Sequence, residues 1–406
     1  MARIRRPLTG EPTRQPAAIG SASIVLPAFL EQGLASGHPW VYRNHVPAGF
    51  EAPTGSWVFV HAGRASAWGL WDSDSQIALR IYARDSQPSA TSIAARVERA
   101  FRLRQLHNPP ETTAFRLING EGDGLPGIIV DVYGEYAVIA TYSRATYPLL
   151  PWLLDAFASY SFAGVLHKRV AGESQTETNI DVLSGQGPPN NLVVLERGMR
   201  VYADLLSGHK TGLYLDQRDN RKTFAGFAAK NSVLNLFSYT GGFSLAAALA
   251  GCTTTNVDIS QPALDRAREN FELNGLHSSE HAFTRMDCHE YLSNAAADIG
   301  RFDAIVCDPP SLARNRTQLE QALKAYLRLN TLGLRLLRDG GLYAAASCTA
   351  QVSPEAFRQM LIQAVGRAHR TAQIIHEAGH AFDHPIAIGH PEGRYLKFVM
   401  LRVFDV

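Results

Sequence analysis

Ser232-Val-Leu-Asn-Leu-Phe-Ser-Tyr-Thr-Gly-Gly-Phe-Ser244 is the stretch on which the fold turns. A short apolar run (Val233, Leu234, Leu236, Phe237) breaks at a polar corner holding Ser238, Thr240, Gly241 and Gly242. An Ala/Leu-rich segment, Leu245 to Gly251, follows at once. Such a run, bounded by glycine and then by helix formers, reads as strand, tight turn, helix. The two glycines leave bare backbone against which a nucleotide-like ligand can lie.

The same grammar repeats toward the C-terminus. Expected strands at 232–236, 253–257, 282–286, 302–307 and 341–346 alternate with expected helices at 242–250, 261–273, 288–297, 317–337 and 353–367. Alternation at this spacing predicts a mostly parallel sheet covered on both faces, and Tyr395–Val403 reads as its closing strand. Ligands of such sheets sit at the C-terminal ends of the strands. Those ends carry the opening turn, then Asp258, then Asp287, then Asp308-Pro-Pro-Ser311, then Ser347-Cys348-Thr349. Asp258 suits the two hydroxyls of a ribose and Asp287 the exocyclic amine of an adenine. Either could instead be a helix N-cap, since both precede expected helices. The turn is not Gly-x-Gly-x-x-Gly, which disfavours a dinucleotide and hence a nicotinamide-dependent dehydrogenase. A nucleoside without phosphates, such as S-adenosylmethionine, fits better.

The rest of the 406 residues are organised differently. Residues 1–20 are polar and Pro-containing and are expected to be flexible. Residues 21–87 read as a small β-rich domain, with strands at Trp57–Val60 and Ile77–Tyr82. Residues 88–190 read as mixed α/β: a helix at Ser92–Leu106, a hairpin of Ile128–Tyr133 and Tyr136–Thr141, a helix at Tyr147–Tyr160 and a strand at Gly164–Lys168. Residues 172–191 look like a boundary loop, and 191–406 form the alternating domain. Residues 1–110 carry 12 Arg against 7 acids, +5, whereas the remainder is −3, which sums to the overall +2. A basic N-terminal part on a near-neutral body fits a module that touches nucleic acid. With 46% hydrophobic and 19% charged residues the chain is folded, not disordered. No apolar run reaches the ~18 residues of a membrane span, and no apolar stretch follows the basic N-terminus, so no secretory signal is expected. Four cysteines, none in a CxxC pair, fit reduced thiols in a cytoplasm and give no metal-ligand spacing.

Taken together, the motifs resemble the bacterial class I methyltransferases that modify C5 of a cytosine in large-subunit (23S) ribosomal RNA and carry an N-terminal PUA domain. Gly37-His-Pro-Trp-Val-Tyr42, Gly122-Asp-Gly-Leu-Pro-Gly127 and Gly208-His-Lys-Thr-Gly-Leu-Tyr-Leu-Asp-Gln-Arg-Asp-Asn-Arg221 carry the likeness. Asn235-Leu-Phe-Ser-Tyr-Thr-Gly-Gly-Phe243, Asp308-Pro-Pro310, Ser347-Cys348, Asp383-His-Pro385 and Pro391-Glu-Gly-Arg-Tyr-Leu-Lys397 follow in order. The resemblance implies an α/β architecture in three parts: a β-rich PUA-like RNA-binding domain, a mixed α/β middle domain and a Rossmann-like class I methyltransferase domain with a seven-stranded sheet. It implies S-adenosylmethionine as cofactor, with Asp216, Gln217, Arg218 and Asn235 around it. Phe237, Ser238, Tyr239, Thr240, Gly241 and Gly242 would cradle its methionine part, Asp258 its ribose and Asp287 its adenine. Asp308, counted with both the catalytic and the cofactor-binding residues, would lie beside the target base, and Cys348 would be the nucleophile. Large-subunit ribosomal RNA is the expected partner, with a homodimer an open option and no membrane or metal expected. His38, Arg43, Lys210 and Arg314 are the RNA-contact candidates.

The chemistry explains the cysteine. Cytosine C5 is a poor nucleophile, and a thiolate added at C6 makes it enamine-like. A free thiol near pKa ~8.5 is mostly protonated, so Cys348 needs an activating setting. Many such enzymes have a second cysteine after Asp-Pro-Pro that aids release, where this chain has Ser311. Cys307 is expected to be structural. From sequence alone, a nitrogen methyltransferase on the same fold and a non-catalytic RNA-binding protein with a degenerate fold remain alternatives.

Overall fold

The computed structural model describes residues 22–169, 180–206, 211–295, 300–313 and 315–406, which divide into two compact units. The second unit comprises Leu195–Ala203, Gly212–Ala381 and Arg394–Val406. Its seven-stranded sheet runs Ala282–Arg285, Thr253–Asp258, Ser232–Leu236, Phe302–Cys307, Leu337–Ser347, Lys397–Asp405, Arg370–Ala378 in spatial order. The first five are mutually parallel, and the last two join antiparallel.

Alternate residues of the central strands feed two separate cores. Leu234, Leu236, Ile305, Cys307, Tyr343 and Ala345 pack with the helices Cys288–Asn294, Leu319–Arg335 and Pro354–Arg367. Val233, Ala304, Val306, Leu342, Ala344 and Ala346 pack instead with Phe224, Ala228, Phe243 and Ala247. Burial on both faces is why these strands are almost wholly apolar in sequence. The register pairs Leu236 with Val257 and with Cys307, and Cys307 with Ala345. Four strands therefore end at one edge, where Asp258 closes its strand and Phe237, Asp308 and Cys348 follow theirs.

Three elements differ from the sequence expectation. The strand expected at 341–346 begins at Leu337, with a register shift against Phe302–Cys307 that absorbs its polar start, Arg338-Asp-Gly-Gly. An edge strand, Arg370–Ala378, was not expected, because its half-buried, polar residues carry no apolar run. Helix Arg218–Ala228 begins within the Asp-Gln-Arg-Asp-Asn-Arg motif and runs past it, and four charges at its start mask the apolar face of Phe224, Ala225 and Ala228.

The first unit comprises the described residues of Met1–Val194 and Asp204–Thr211 together with Phe382–Gly393. One five-stranded sheet orders Ala22–Val25, Trp57–Ala62, Ala65–Trp71, Ile77–Ala83, Trp40–Tyr42. A second orders Ile180–Gly185, Gly164–Arg169, Tyr136–Thr141, Ile128–Tyr133, Ala114–Asn119. Helix Ala90–His107, started by a Ser89/Ser92 capping box, covers the second sheet. Ile180–Gly185 corrects the expected 172–191 loop: it is an edge strand with little burial and no apolar signature. The expected helix 147–160 is a 3-10 turn, Arg144–Leu149, followed by a shorter α-helix, Leu150–Phe157.

Phe382–Gly393 is built into this unit. The Asp383 carboxylate is fully buried and accepts the Arg116 backbone N–H at 2.9 Å. Arg104 donates to the Asp383 carbonyl at 2.8 Å and grips Asp123 at 2.6 and 2.7 Å. A Cβ on Gly122 would stand 1.8 Å from the Pro385 carbonyl oxygen, so only glycine admits the segment there. Among the described residues no helix is long and apolar enough to cross a membrane.

Candidate active site

The corner after Ser232–Leu236 is conformationally unusual. Phe237, Tyr239 and Gly241 adopt φ values of +58°, +48° and +79°. For the two non-glycine residues this costs on the order of 1–3 kcal/mol each, sustained only where surrounding contacts fix it. Those contacts are present. Phe237 N–H donates to Cys288 Sγ at 3.2 Å, Ser238 N–H to the Val257 carbonyl at 3.0 Å and Tyr239 N–H to Asp258 Oδ2 at 2.8 Å. Thr240 Oγ1 donates to the Gly212 carbonyl at 2.6 Å. A Cβ on Gly241 would meet Ala267 Cβ at 3.1 Å, and one on Gly242 would meet Arg221 Cδ at 3.1 Å. Ser238 Oγ is buried with no hydrogen-bond partner. A strained, rigid loop that presents an unsatisfied buried hydroxyl is a cradle for a polar ligand. These residues fit S-adenosylmethionine.

Asn235 lies beneath the cradle, its Nδ2 donating to Ser244 Oγ at 2.8 Å. Asp258 is half-buried, and its two oxygens accept the N–H groups of Tyr239 and Ser260. Asp287 is the N-cap of Cys288–Asn294, with Oδ1 taking the N–H groups of His289 and Glu290. Both acids therefore serve the local backbone at adjacent strand ends, Asp287 as a helix cap and Asp258 by holding two loop N–H groups. Asp216 accepts from the Tyr395 hydroxyl at 2.8 Å. Gln217 donates to Asp308 Oδ2 at 3.0 Å and accepts from Asn220 Nδ2 at 2.6 Å. Arg218 is fully buried, its Nε 3.6 Å from Asp219. Arg221, also buried, is held by Glu196 through Nε and Nη2.

The fourth strand end carries the thiol. Cys252, Cys288 and Cys307 are buried, and Cys348 is half-exposed. Burial pushes Cys288 up to about 12 and raises Cys252 and Cys307 as well. Around Cys348 lies a hydroxyl network. Ser347 Oγ donates to Tyr326 Oη at 2.9 Å, and the Tyr326 and Thr349 hydroxyls are 2.8 Å apart. Ser311 Oγ donates to the Ala313 carbonyl at 3.2 Å and contacts Thr349 Oγ1 at 3.4 Å. Lys397, buried and paired in register with Ser347, donates through Nζ to the carbonyls of Thr349 (2.6 Å) and Tyr395 (2.8 Å). Burial lowers its ammonium to about 8, with Cys348 acting in the opposite direction.

The second unit thus gathers the Phe237–Gly242 corner and the acids Asp258, Asp287, Asp216 and Asp308, with Cys348, at one sheet edge. Tyr326 was not named from sequence, and Lys397, Tyr395, Thr349 and Asn220 stood there only within longer motifs, with no role of their own. The signal for Lys397 was a lysine inside an otherwise apolar strand, a position where an unpaired charge is costly.

Two of the nucleic-acid candidates, His38 and Arg43, belong to the first unit. In the first unit His38 Nε2 stands 3.4 Å from Glu392 Oε1 and its Nδ1 3.1 Å from the Trp40 carbonyl. Arg43 Nη2 donates to the carbonyls of Asp72 and Ser75, and its guanidinium lies 4.7 Å over the Trp71 ring. Trp40 Nε1 donates to Glu121 at 2.8 Å. Lys210 and Arg314 lie outside the described residues. Among the described residues no group of three or more His, Cys, Asp or Glu could hold a metal ion.

Residues 154–375 match the S-adenosylmethionine-dependent methyltransferase family, and residues 24–84 match the PUA-like domain family. The chain is 36% identical over 398 residues to proteins named ribosomal RNA large subunit methyltransferase I from Shigella boydii and Escherichia coli, covering 94% of this chain and 100% of theirs. The relative of the same name from Shewanella denitrificans is 35% identical over 386 residues, 92% of this chain and 97% of that one. Among solved structures, a SAM-dependent methyltransferase from Streptococcus mutans superposes with a TM-score of 0.82 at 24% identity, covering 94% of this chain and all of that one. A methyltransferase crystallised with S-adenosylhomocysteine gives 0.83 with the same identity and coverage.

Proposed function

This chain belongs to the S-adenosylmethionine-dependent methyltransferases, and from that premise we propose that it methylates C5 of a cytosine in large-subunit (23S) ribosomal RNA, with Cys348 as nucleophile. The observation that carries the proposal is the thiol itself. Of the four cysteines only Cys348 is partly exposed, in a turn at the strand end next to Asp308. Nitrogen already has a lone pair and would need no thiolate, whereas carbon C5 does.

The cofactor, when bound, supplies an electrophilic methyl group on a sulfonium. The chain's residues do the rest. The Phe237–Gly242 corner would hold the methionine part, Asp258 the ribose and Asp287 the adenine. Gln217 fixes the Asp308 carboxylate and would keep it aimed between cofactor and base. The target base leaves its stack to reach the site. Thiolate Sγ of Cys348 adds to C6, and the C5=C6 electron pair takes the methyl at C5. The C5 proton is then lost, its electrons reform C5=C6, and the C6–S bond breaks to return the thiolate. Ser311 stands where a second cysteine would assist that release, and its hydroxyl is engaged with Ala313 and Thr349.

RNA contacts are proposed for the PUA-like domain, through His38, and for Lys210 and Arg314. Arg43 would add charge there, its donors being directed at neighbouring carbonyls. Cys348→Ala and Cys348→Ser are expected to abolish 5-methylcytosine formation while retaining S-adenosylhomocysteine binding by calorimetry. RNA carrying 5-fluorocytosine, which has no C5 proton to lose, should trap a covalent adduct with the wild type alone. Full methylation by either variant, or a product bearing its methyl on nitrogen by mass analysis, overturns the assignment.

A further inference from the structure

Lys397 is a lysine at 4% exposure in the strand Lys397–Asp405, surrounded in sequence by Leu396, Phe398, Val399 and Met400. Burying an ammonium costs several kcal/mol unless its donors and charge are compensated. Two donors go to backbone oxygens, those of Thr349 and Tyr395. Neither oxygen carries a formal charge, and the lysine is paired in no ion pair among the described residues. The anionic partner within electrostatic reach is the thiolate form of Cys348, one residue before Thr349. With Cys348 as the nucleophile, we propose that Lys397 is the positioning residue that keeps the Cys348 sulfur ionised and its turn in place.

The other ionisable groups at this turn do not supply that charge. Tyr326, which senses both Cys348 and Asp308, is pushed up to about 12 by burial and stays neutral at physiological pH. Lys397 is cationic and interacts electrostatically with Cys348. Because burial brings its ammonium to about 8, the support is present below that pH and fades above it. The thiol proton is released to water, Lys397 retains its own, and no further reactant is needed. The clamp on the Thr349 carbonyl adds a second effect, fixing the peptide next to the attacking sulfur.

The test is alkylation of the native protein by iodoacetamide as a function of pH, with Cys348→Ser as the blank, since the other three cysteines are buried. An opposite charge close by shifts a titrating group by about 1–3 units. In the wild type the midpoint of alkylation should lie below the ~8.5 of an ordinary thiol. Lys397→Met should raise that midpoint by about 1 unit or more, slowing alkylation about tenfold at neutral pH, and Lys397→Arg should restore most of the loss. A wild-type midpoint at or above ~8.5 overturns the proposal without any variant having to fold. So does a Lys397→Met profile that superimposes on the wild type. Failure of the underlying nucleophile assignment looks different: Cys348→Ala would then methylate fully, whatever the alkylation profile. An inactive Cys348→Ala with an unmoved Lys397→Met profile removes the lysine's role alone.

Discussion

Gly241 shows how little freedom single positions in the cradle retain. Its φ is +79° and its missing Cβ would stand 3.1 Å from that of Ala267. An L-residue in this region costs about 1–2 kcal/mol before any clash. Gly241→Ala is therefore expected to lower the thermal midpoint by about 2–4 °C per kcal/mol lost and to weaken S-adenosylhomocysteine binding, both readable in one calorimetric series. A tight turn at Gly241 was legible in sequence, because two adjacent glycines after an apolar run mark one. Left-handed backbone at Phe237 and Tyr239 was not legible, since nothing about those residue types announces it. Asp258 and Asp287 show a different limit. Sequence offered cap or ligand as alternatives; in the structure Asp287 caps Cys288–Asn294, whereas Asp258 holds the N–H groups of Tyr239 and Ser260 and leaves the capping of the next helix to Ser260.

At the scale of elements, helix Arg218–Ala228 is anchored by one buried ion pair. Arg221 and Glu196 are 4% and 3% exposed and joined through two guanidinium nitrogens. Arg221 also donates to the Tyr214 carbonyl at 2.8 Å, so it braces the approach to Asp216 and Gln217. Removing one partner of a buried pair leaves the other charge uncompensated, at a cost of about 3–5 kcal/mol. Glu196→Gln is expected to destabilise the second unit by that order in denaturant titration. Its cofactor affinity should fall too, since the Gly242 backbone abuts the Arg221 stem. Unchanged stability would mean that the pair is not buried in solution. In sequence this helix was visible as a motif and invisible as a helix. All of its first five residues are polar and four of them charged, and the periodic apolar face begins only at Phe224. The core strands were legible for the opposite reason: burial on both faces leaves an uninterrupted apolar run.

For the whole molecule, the chain order and the order of units differ. Phe382–Gly393 follows most of the methyltransferase sheet in sequence, yet it belongs to the first unit. Asp383 is the key residue there, taking the Arg116 N–H with one oxygen and lying 2.9 Å from His384 Nδ1 with the other. Asp383→Ala removes the acceptor of a part-buried N–H, at a cost of about 1 kcal/mol. In the full-length protein it should speed hydrogen exchange in Ala114–Asn119 and spare Ser232–Leu236. Equal protection in both strands would show that the segment is dispensable. Sequence by itself determined the mostly parallel sheet and which residues stand at its strand ends, because period, turn chemistry and residue type are local properties. Tertiary structure alone decided that Lys397 closes over the Cys348 turn, that Gln217 holds Asp308, and that Asp383 completes a distant sheet. Each joins residues dozens to hundreds of positions apart, and such pairings follow from strand register and packing, which no local pattern encodes.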